Sequence, residues 1–224
     1  MNRYDKLIKI ILSGDPFAFA RFNDGEMLAI DGLRTVVARG GQEVNPMLSS
    51  KLKEALEYCA EGYWKGVPCP TCYPEHSSRF FELVSRLDVD RLVYAVTLVN
   101  NGHWVKFMDD IKKIGDRPVR WVSGIDQRAE KTGLNIIDHV VVPMKNAFDA
   151  YFHVKDYYKE VNPGDLVILS CGPMSRVLCK EWYYMNPDGS YLDAGSAFDP
   201  ITRNVWLNCH KETVHYCKDC NYET

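Results

Sequence analysis

Two carboxylates around a glycine, Asp24 and Glu26, follow an apolar stretch near the start of the chain. Residues 17–23 alternate large and small side chains and predict a strand, and Gly25 lets both carboxylates point the same way in the following turn. Carboxylate oxygens suit Mg²⁺ and Mn²⁺, which often keep a diphosphate as a further ligand. Arg21 on the strand is expected to pair with a phosphate through its fork of donors. These residues predict a metal and phosphate site, and a merely solvated acidic turn is the alternative.

Apolar strands that alternate with helices are predicted along most of the chain. After the first strand, the predicted strands are residues 92–98, 119–122, 137–142, 166–170 and 190–193. The predicted helices are residues 4–13, 45–59, 77–87, 103–114, 150–160 and 173–185, and residues 62–76, which contain three prolines, are predicted to be a loop. This alternation predicts an α/β fold, a mostly parallel Rossmann-like sheet with helices on both faces.

Polar and glycine residues follow the predicted strands, at the sheet edge where α/β proteins bind ligands. Residues 170–175 are predicted to be a strand, a turn at Gly172 and a helix start, with Pro173 in the first helical turn. Free N–H groups at such a terminus hold a diphosphate or a carboxylate. A tight connection without a ligand is the alternative, and the glycine spacing excludes a P-loop and a dinucleotide fingerprint.

The segment Arg-Phe-Asn-Asp-Gly-Glu at residues 21–26 resembles the Arg-Phe-Gly-Asp-Gly-Glu signature of GT-D-type glycosyltransferases and their GT-D-like relatives. Asn23 stands where the family has glycine, and asparagine best tolerates a glycine-like backbone. Three later segments resemble family positions in the same order: Asn-Ala-Phe at 146–148, Gly-Pro at 172–173 and Asp-Ala-Gly-Ser at 193–196. The resemblance spans roughly residues 15–200 and implies a GT-D-like domain over residues 1–200.

The resemblance implies an enzyme that moves a sugar from a nucleotide sugar, with a UDP-sugar expected, to an acceptor that is a glycan, a protein or another molecule. Asp24 and Glu26 are expected to position Mn²⁺ or Mg²⁺, directly or through water, and the cation acts as a Lewis acid on the phosphate oxygens. Asp193, or Asp199, is the candidate base for the acceptor. The residues expected to bind the donor are Arg21, Asn100, Asn146, Gly172, Pro173 and Ser196, the two asparagines as partners of sugar hydroxyls.

Eight cysteines are present, and four of them form two C-x-x-C pairs. One pair lies in the predicted proline-rich loop and the other in the polar tail at residues 201–224, and neither place is expected to bury thiols in a core. The pairs therefore predict a structural Zn²⁺ that pins the tail onto the domain. The preferred ligands are Cys69, Cys72, Cys217 and Cys220; a set that uses Cys209, His210 or His215 and reduced thiols without metal are the alternatives.

The composition limits the classes of function. The chain has 224 residues, a formal net charge of −3 and no basic run, which argues against nucleic-acid binding as its main role. The N-terminal segment predicts an amphipathic helix and not a signal peptide, and no apolar run approaches the roughly 20 residues of a membrane span. A cytoplasmic protein is therefore expected. Two other functions fit the residues: a different metal-dependent enzyme acting on a nucleotide or phosphoester, and a non-catalytic zinc-stapled interaction module.

Overall fold

The computed structural model describes residues 3–33, 36–37, 41–84, 89–99 and 101–205. In chain order the strands are β1 (Phe17–Arg21), β2 (Val36–Val37), β3 (Gln42–Glu43), β4 (Tyr63–Val67), β5 (Leu92–Tyr94), β6 (Val119–Gly124), β7 (Ile136–Val142), β8 (Leu166–Ser170) and β9 (Ser190–Asp193). The α-helices are α1 (Arg3–Ser13), α2 (Asp24–Ile30), α3 (Pro46–Glu57), α4 (Pro74–Leu83), α5 (Asn101–Ile111), α6 (Tyr151–Val154), α7 (Met174–Met185) and α8 (Asp199–Thr202).

Seven of these strands form one parallel sheet in the order β5-β4-β1-β9-β8-β6-β7, and β2 and β3 form a separate antiparallel hairpin. From β1 the chain runs outward through β4 to β5, and it then crosses to β6 on the other side of the sheet. The carboxyl ends of β1 and β9 therefore meet in mid-sheet, where the connections diverge. Such a point is where open α/β sheets bind their ligands.

Side chains of the central strands alternate between two apolar layers. In β1, Ala18 and Ala20 pack in the layer that contains α3 and α7, whereas Phe17 and Phe19 pack in the layer that contains α1 and α5. Residues 166–169 of β8 alternate in the same way, which explains why this strand is a continuous apolar run. The predicted fold class is confirmed: a parallel α/β sheet is covered by helices on both faces.

Four predictions about individual elements are wrong. The strand predicted at residues 92–98 ends at Tyr94, and residues 95–99 form turns. Residues 62–76 are not one loop, because β4 occupies Tyr63–Val67 and α4 begins at Pro74, where a missing N–H costs no hydrogen bond. The segment after β1 is not a turn, because Asp24 begins the helix α2. The predicted helix at 150–160 is the single turn α6 between 3₁₀ turns at Ala147–Ala150 and Tyr157–Glu160.

No helix in the described part of the chain is both long enough and apolar enough to cross a membrane.

Helix α3 has a side-chain cap that provides a test of the fold. The Asn45 side-chain oxygen accepts the Leu48 N–H at 2.8 Å. We expect Asn45→Ala to lower the free energy of unfolding by about 1 kcal/mol, because that N–H loses its partner, while Asn45→Asp retains the cap. Urea unfolding of both variants measures the difference, and equal stability of Asn45→Ala and the parent protein would contradict the assignment of the cap.

Candidate active site

Two arginines and two carboxylates are buried together where β1, β8 and β9 end. Arg21 and Arg176 are each 6% exposed, Glu26 is 7% exposed and Asp193 is fully buried. Two positive and two negative charges balance in this set, which we call the buried ion network. Balance of this kind is needed because a buried charge without a partner carries a large desolvation cost.

Asp193, the last residue of β9, is at the centre of the buried ion network. Its Oδ2 accepts the Arg21 N–H at 3.0 Å, and its Oδ1 accepts the Gly195 N–H at 3.1 Å. The same carboxylate forms ion pairs with the Nε atoms of Arg176 at 3.1 Å and of Arg21 at 3.7 Å. A base for the acceptor has to reach the substrate, and this carboxylate is enclosed. The structure therefore gives Asp193 a positioning role and does not support its predicted role as that base.

Arg21 holds two strand ends together from inside the protein. Its Nη1 donates to the Ala95 carbonyl oxygen, just after β5, at 3.1 Å. Its guanidinium also lies against Gly195, where a Cβ atom would stand 1.5 Å from Nη2. The sequence predicted that Arg21 faces a phosphate, but the guanidinium is turned into the interior and braces the turns that follow β5 and β9.

Arg176, in the first turn of α7, connects three strand ends. Its Nε donates to the Arg21 carbonyl at 2.5 Å and its Nη1 to the Gly172 carbonyl at 2.7 Å, while its Nη2 lies 3.3 Å from Glu26 Oε1. Burial alone would lower the pKa of Arg176, but Asp193 and Glu26 raise it above its usual value. The sequence analysis missed this residue. A cation in the first helical turn, where the helix dipole disfavours positive charge, is the signal that points to a buried carboxylate partner.

Asp24 and Glu26 point in different directions because they lie on a helix. Residues i and i+2 of a helix are about 200° apart around its axis, so the prediction that Gly25 lets both carboxylates face one way is wrong. Glu26 Oε2 accepts the Asn23 N–H at 3.0 Å and Oε1 faces Arg176, so both oxygens are engaged. Asp24 is half-buried, and its carboxylate makes no hydrogen bond or ion pair with any described residue. The Asn23 side-chain oxygen is buried and faces the Glu26 backbone N–H in a capping box, although the two atoms do not form a hydrogen bond of normal geometry.

A second hydrogen-bond network supports the turn after β9 from the side of β8. The Ser170 hydroxyl donates to the Gly195 carbonyl and accepts the Gln127 side-chain N–H at 2.8 Å. The Gln127 amide also donates to Asp199 Oδ1 at 3.1 Å. Asp199, the alternative base, is itself buried and pairs with Arg203 at 3.5 Å. Sequence analysis did not single out Gln127 or Ser170.

The Gly172 turn has the left-handed backbone that glycine favours, with φ at +62°. Some N–H groups of the predicted phosphate site already have partners, because the Cys171 N–H donates to Ser175 Oγ at 3.1 Å and the Ser175 N–H donates to the Gly172 carbonyl at 3.0 Å. Pro173 lies directly before α7. The donor-binding roles of Gly172 and Pro173 stay predictions.

The remaining predicted donor-binding residues lie in different places. Asn146 has φ at +52°, and its side-chain oxygen accepts the Glu43 N–H at 2.8 Å, which anchors the β2–β3 hairpin. Ser196 is half-buried in the turn after β9. Asn100 lies outside the described residues. The structure therefore brings Ser196 to the edge that carries Arg21 and Asp193, and it gives Asn146 an anchoring role.

Cys69 and Cys72 lie between β4 and α4. Cys69 is 1% exposed. The expectation that this segment does not bury its thiols in a core is therefore wrong for Cys69. Cys217 and Cys220 lie outside the described residues, as do the alternative ligands Cys209, His210 and His215. Within the described ranges, no group of three or more His, Cys, Asp and Glu side chains is arranged to hold a metal ion. The four-cysteine zinc site stays a prediction.

Gly195 allows a test of the contact with Arg21. Gly195 and Gly133 both have positive φ, at +51° and +74°, but a Cβ at Gly133 meets nothing within 4 Å. We expect Gly195→Ala to lower the free energy of unfolding by about 1–3 kcal/mol more than Gly133→Ala, because the backbone strain is shared and only Gly195 adds a clash. Chemical denaturation of both variants measures the difference, and equal losses would mean that Arg21 does not pack against Gly195.

No protein-family model and no curated protein sequence matches the chain. Solved structures do match over nearly its whole length. One is described as a highly conserved domain of unknown function 1792 with a distinct glycosyltransferase fold, at 15% identity and a TM-score of 0.67, covering 98% of this chain and 85% of that one. Another is described as a new glycosyltransferase (DUF1792) from Streptococcus sanguinis, at 18% identity and a TM-score of 0.69, covering 97% and 90%. The chain has the GT-D-like glycosyltransferase fold of these DUF1792 domains, as the segment at residues 21–26 predicted.

Proposed function

We propose that the protein is a glycosyltransferase that moves a sugar from a nucleotide sugar, a UDP-sugar, to an acceptor with the help of Mn²⁺ or Mg²⁺. The observation that carries this proposal is the carboxylate of Asp24, which has no partner among the described residues and begins α2 at the carboxyl end of β1, beside the buried ion network. The fold likeness supports the class of reaction, since the similar structures are described as glycosyltransferases.

The side chain at the start of α2 fits a divalent cation that shares its ligands with a substrate. The half-buried Asp24 carboxylate is a hard oxygen donor of the kind that such a cation prefers. One protein ligand would leave most of the cation's coordination to water and to the phosphates of a donor, as is usual for Mg²⁺ sites. When bound, the cation stabilises the negative charge of the departing diphosphate as a Lewis acid.

Charge balance favours a cation for that task. Arg21 and Arg176 lie at the strand ends in question, and they are paired with Asp193 and Glu26 inside the protein. They are therefore not offered to a diphosphate as free positive charges. Their contribution is to fix the ends of β1 and β9 and the start of α7, so that Asp24 keeps its position during the reaction. Fixed polar groups of this kind need little reorganisation when charge develops.

The proposal predicts that Asp24 is needed for binding and not for folding. We expect UDP to raise the melting temperature of the parent protein only when Mn²⁺ is present, and Asp24→Asn to lose this response while its own melting temperature changes little. Asp109→Asn, on the exposed surface of α5, is the matched control and should respond like the parent. Release of UDP from a panel of UDP-sugars measures activity, and full activity of Asp24→Asn would overturn the role of this carboxylate.

The same titration separates the other classes of function. Stabilisation by unrelated phosphoesters, without preference for UDP, would indicate a different enzyme acting on phosphoesters. The absence of any response to Mn²⁺, UDP and phosphoesters would indicate a non-catalytic module.

The zinc proposal has its own test. We propose that purified protein carries about one zinc per chain, held by Cys69, Cys72, Cys217 and Cys220 and supporting the folded state. Metal analysis should show that Cys217→Ser loses the zinc, whereas Cys59→Ser, at an exposed and isolated cysteine, retains it. Four freely reactive thiols in protein without zinc would rule the site out.

A further inference from the structure

The two carboxylates of α2 have different surroundings, and the difference indicates different roles. We infer, on the basis of the proposed function, that Arg176 is a positioning residue that keeps Glu26 out of direct contact with the cation. The cation is then bound through Asp24 and the donor diphosphate, and it binds tightly only together with the donor.

Glu26 is held inward through both of its carboxylate oxygens. Oε2 accepts the Asn23 N–H at 3.0 Å, and Oε1 lies 3.3 Å from Arg176 Nη2. To bond to a cation beside Asp24, on the other side of α2, the Glu26 side chain would have to turn away and break these contacts. The first caps α2 and the second neutralises a buried guanidinium, so both losses are unfavourable.

The buried charges also oppose a turn of Glu26 towards a cation. Arg176 pairs with both Glu26 and Asp193, and it would lose one of these two carboxylate partners inside the protein. Arg176 cannot follow a turning Glu26, because its Nε and Nη1 donate to the carbonyls of Arg21 and Gly172. The ion network therefore holds Glu26 in its inward position.

With Glu26 held inward, Asp24 is the carboxylate of α2 that remains for a cation. One carboxylate is too few ligands to hold Mn²⁺ or Mg²⁺ tightly. A diphosphate supplies further ligands together with negative charge. Cation and donor therefore strengthen each other's binding, and thermodynamic linkage requires that each raises the affinity of the other by the same factor.

Binding of Mn²⁺, followed by the electron paramagnetic resonance signal of the free ion, tests this inference with UDP as the probe. We expect saturating UDP to raise the affinity of the parent protein for Mn²⁺ by at least about tenfold, within the usual range of coupling between two sites. Calorimetry should show that saturating Mn²⁺ raises the affinity of the protein for UDP by the same factor. Equal affinity for Mn²⁺ with and without UDP would overturn the inference.

Variants separate the two carboxylates. With UDP present, we expect Asp24→Asn to lose at least about tenfold more Mn²⁺ affinity than Glu26→Gln, because only Asp24 bonds to the cation. Arg176→Gln, which releases Glu26, should raise the affinity for Mn²⁺ without UDP by about tenfold, an effect that a purely structural residue would not have. Arg128→Gln, on the exposed surface, is the control and should behave like the parent.

Equal losses in Asp24→Asn and Glu26→Gln would overturn the inference, because Glu26 would then be a direct ligand. This comparison decides the question even if Arg176→Gln does not fold. If Mn²⁺ and UDP strengthen each other's binding in the parent protein but the two variants lose equal Mn²⁺ affinity, the proposed function stands and only the inference fails. If the parent protein binds no UDP, with or without Mn²⁺, the proposed function fails as well.

Discussion

The ion pairs around the buried carboxylate of Asp193 are the constraint on which the site depends. Asp193 ends β9, and its two arginine partners come from the end of β1 and the start of α7. A fully buried carboxylate is tolerated only when its charge and its lone pairs are matched, and here two guanidinium groups and two backbone N–H groups provide the match. The relative positions of three elements are therefore fixed by one side chain.

This constraint also limits which groups can meet a ligand. Arg21 and Arg176 are paired inside the protein. Among the described residues, the unpaired charge at the start of α2 is therefore the negative charge of Asp24. An anionic donor would be repelled by that carboxylate alone, so a divalent cation between the two is the arrangement that electrostatics favours. The proposed dependence on metal therefore rests on the pairing of both arginines with buried carboxylates, and not on the Asp-x-Glu motif alone.

The sequence predicted the fold well because the signals of the fold are local. Continuous apolar runs such as residues 166–170 and a glycine turn at Gly172 require no knowledge of distant partners. The buried ion network could not be predicted in the same way. Arg176 and Arg21 are 155 residues apart along the chain, and Arg21 and Asp193 are 172 apart. The spacing placed Arg21 and Asp193 at strand ends, but the direction of each side chain depends on partners that only the folded chain brings together.

The motif at residues 24–26 illustrates how a change of local structure alters the chemistry of the same residues. In a turn, an Asp-Gly-Glu segment presents two ligands to one cation. In the first turn of a helix, the two carboxylates diverge, and both are favoured there by the helix dipole. Glu26 faces the core, and Asp24 is left half-exposed. The short covalent path from Asp24 to Glu26 ties the Asp24 carboxylate to the buried ion network within a single turn of α2. In the proposed site, this arrangement would place Asp24 precisely, and it would give up the second direct carboxylate ligand in return.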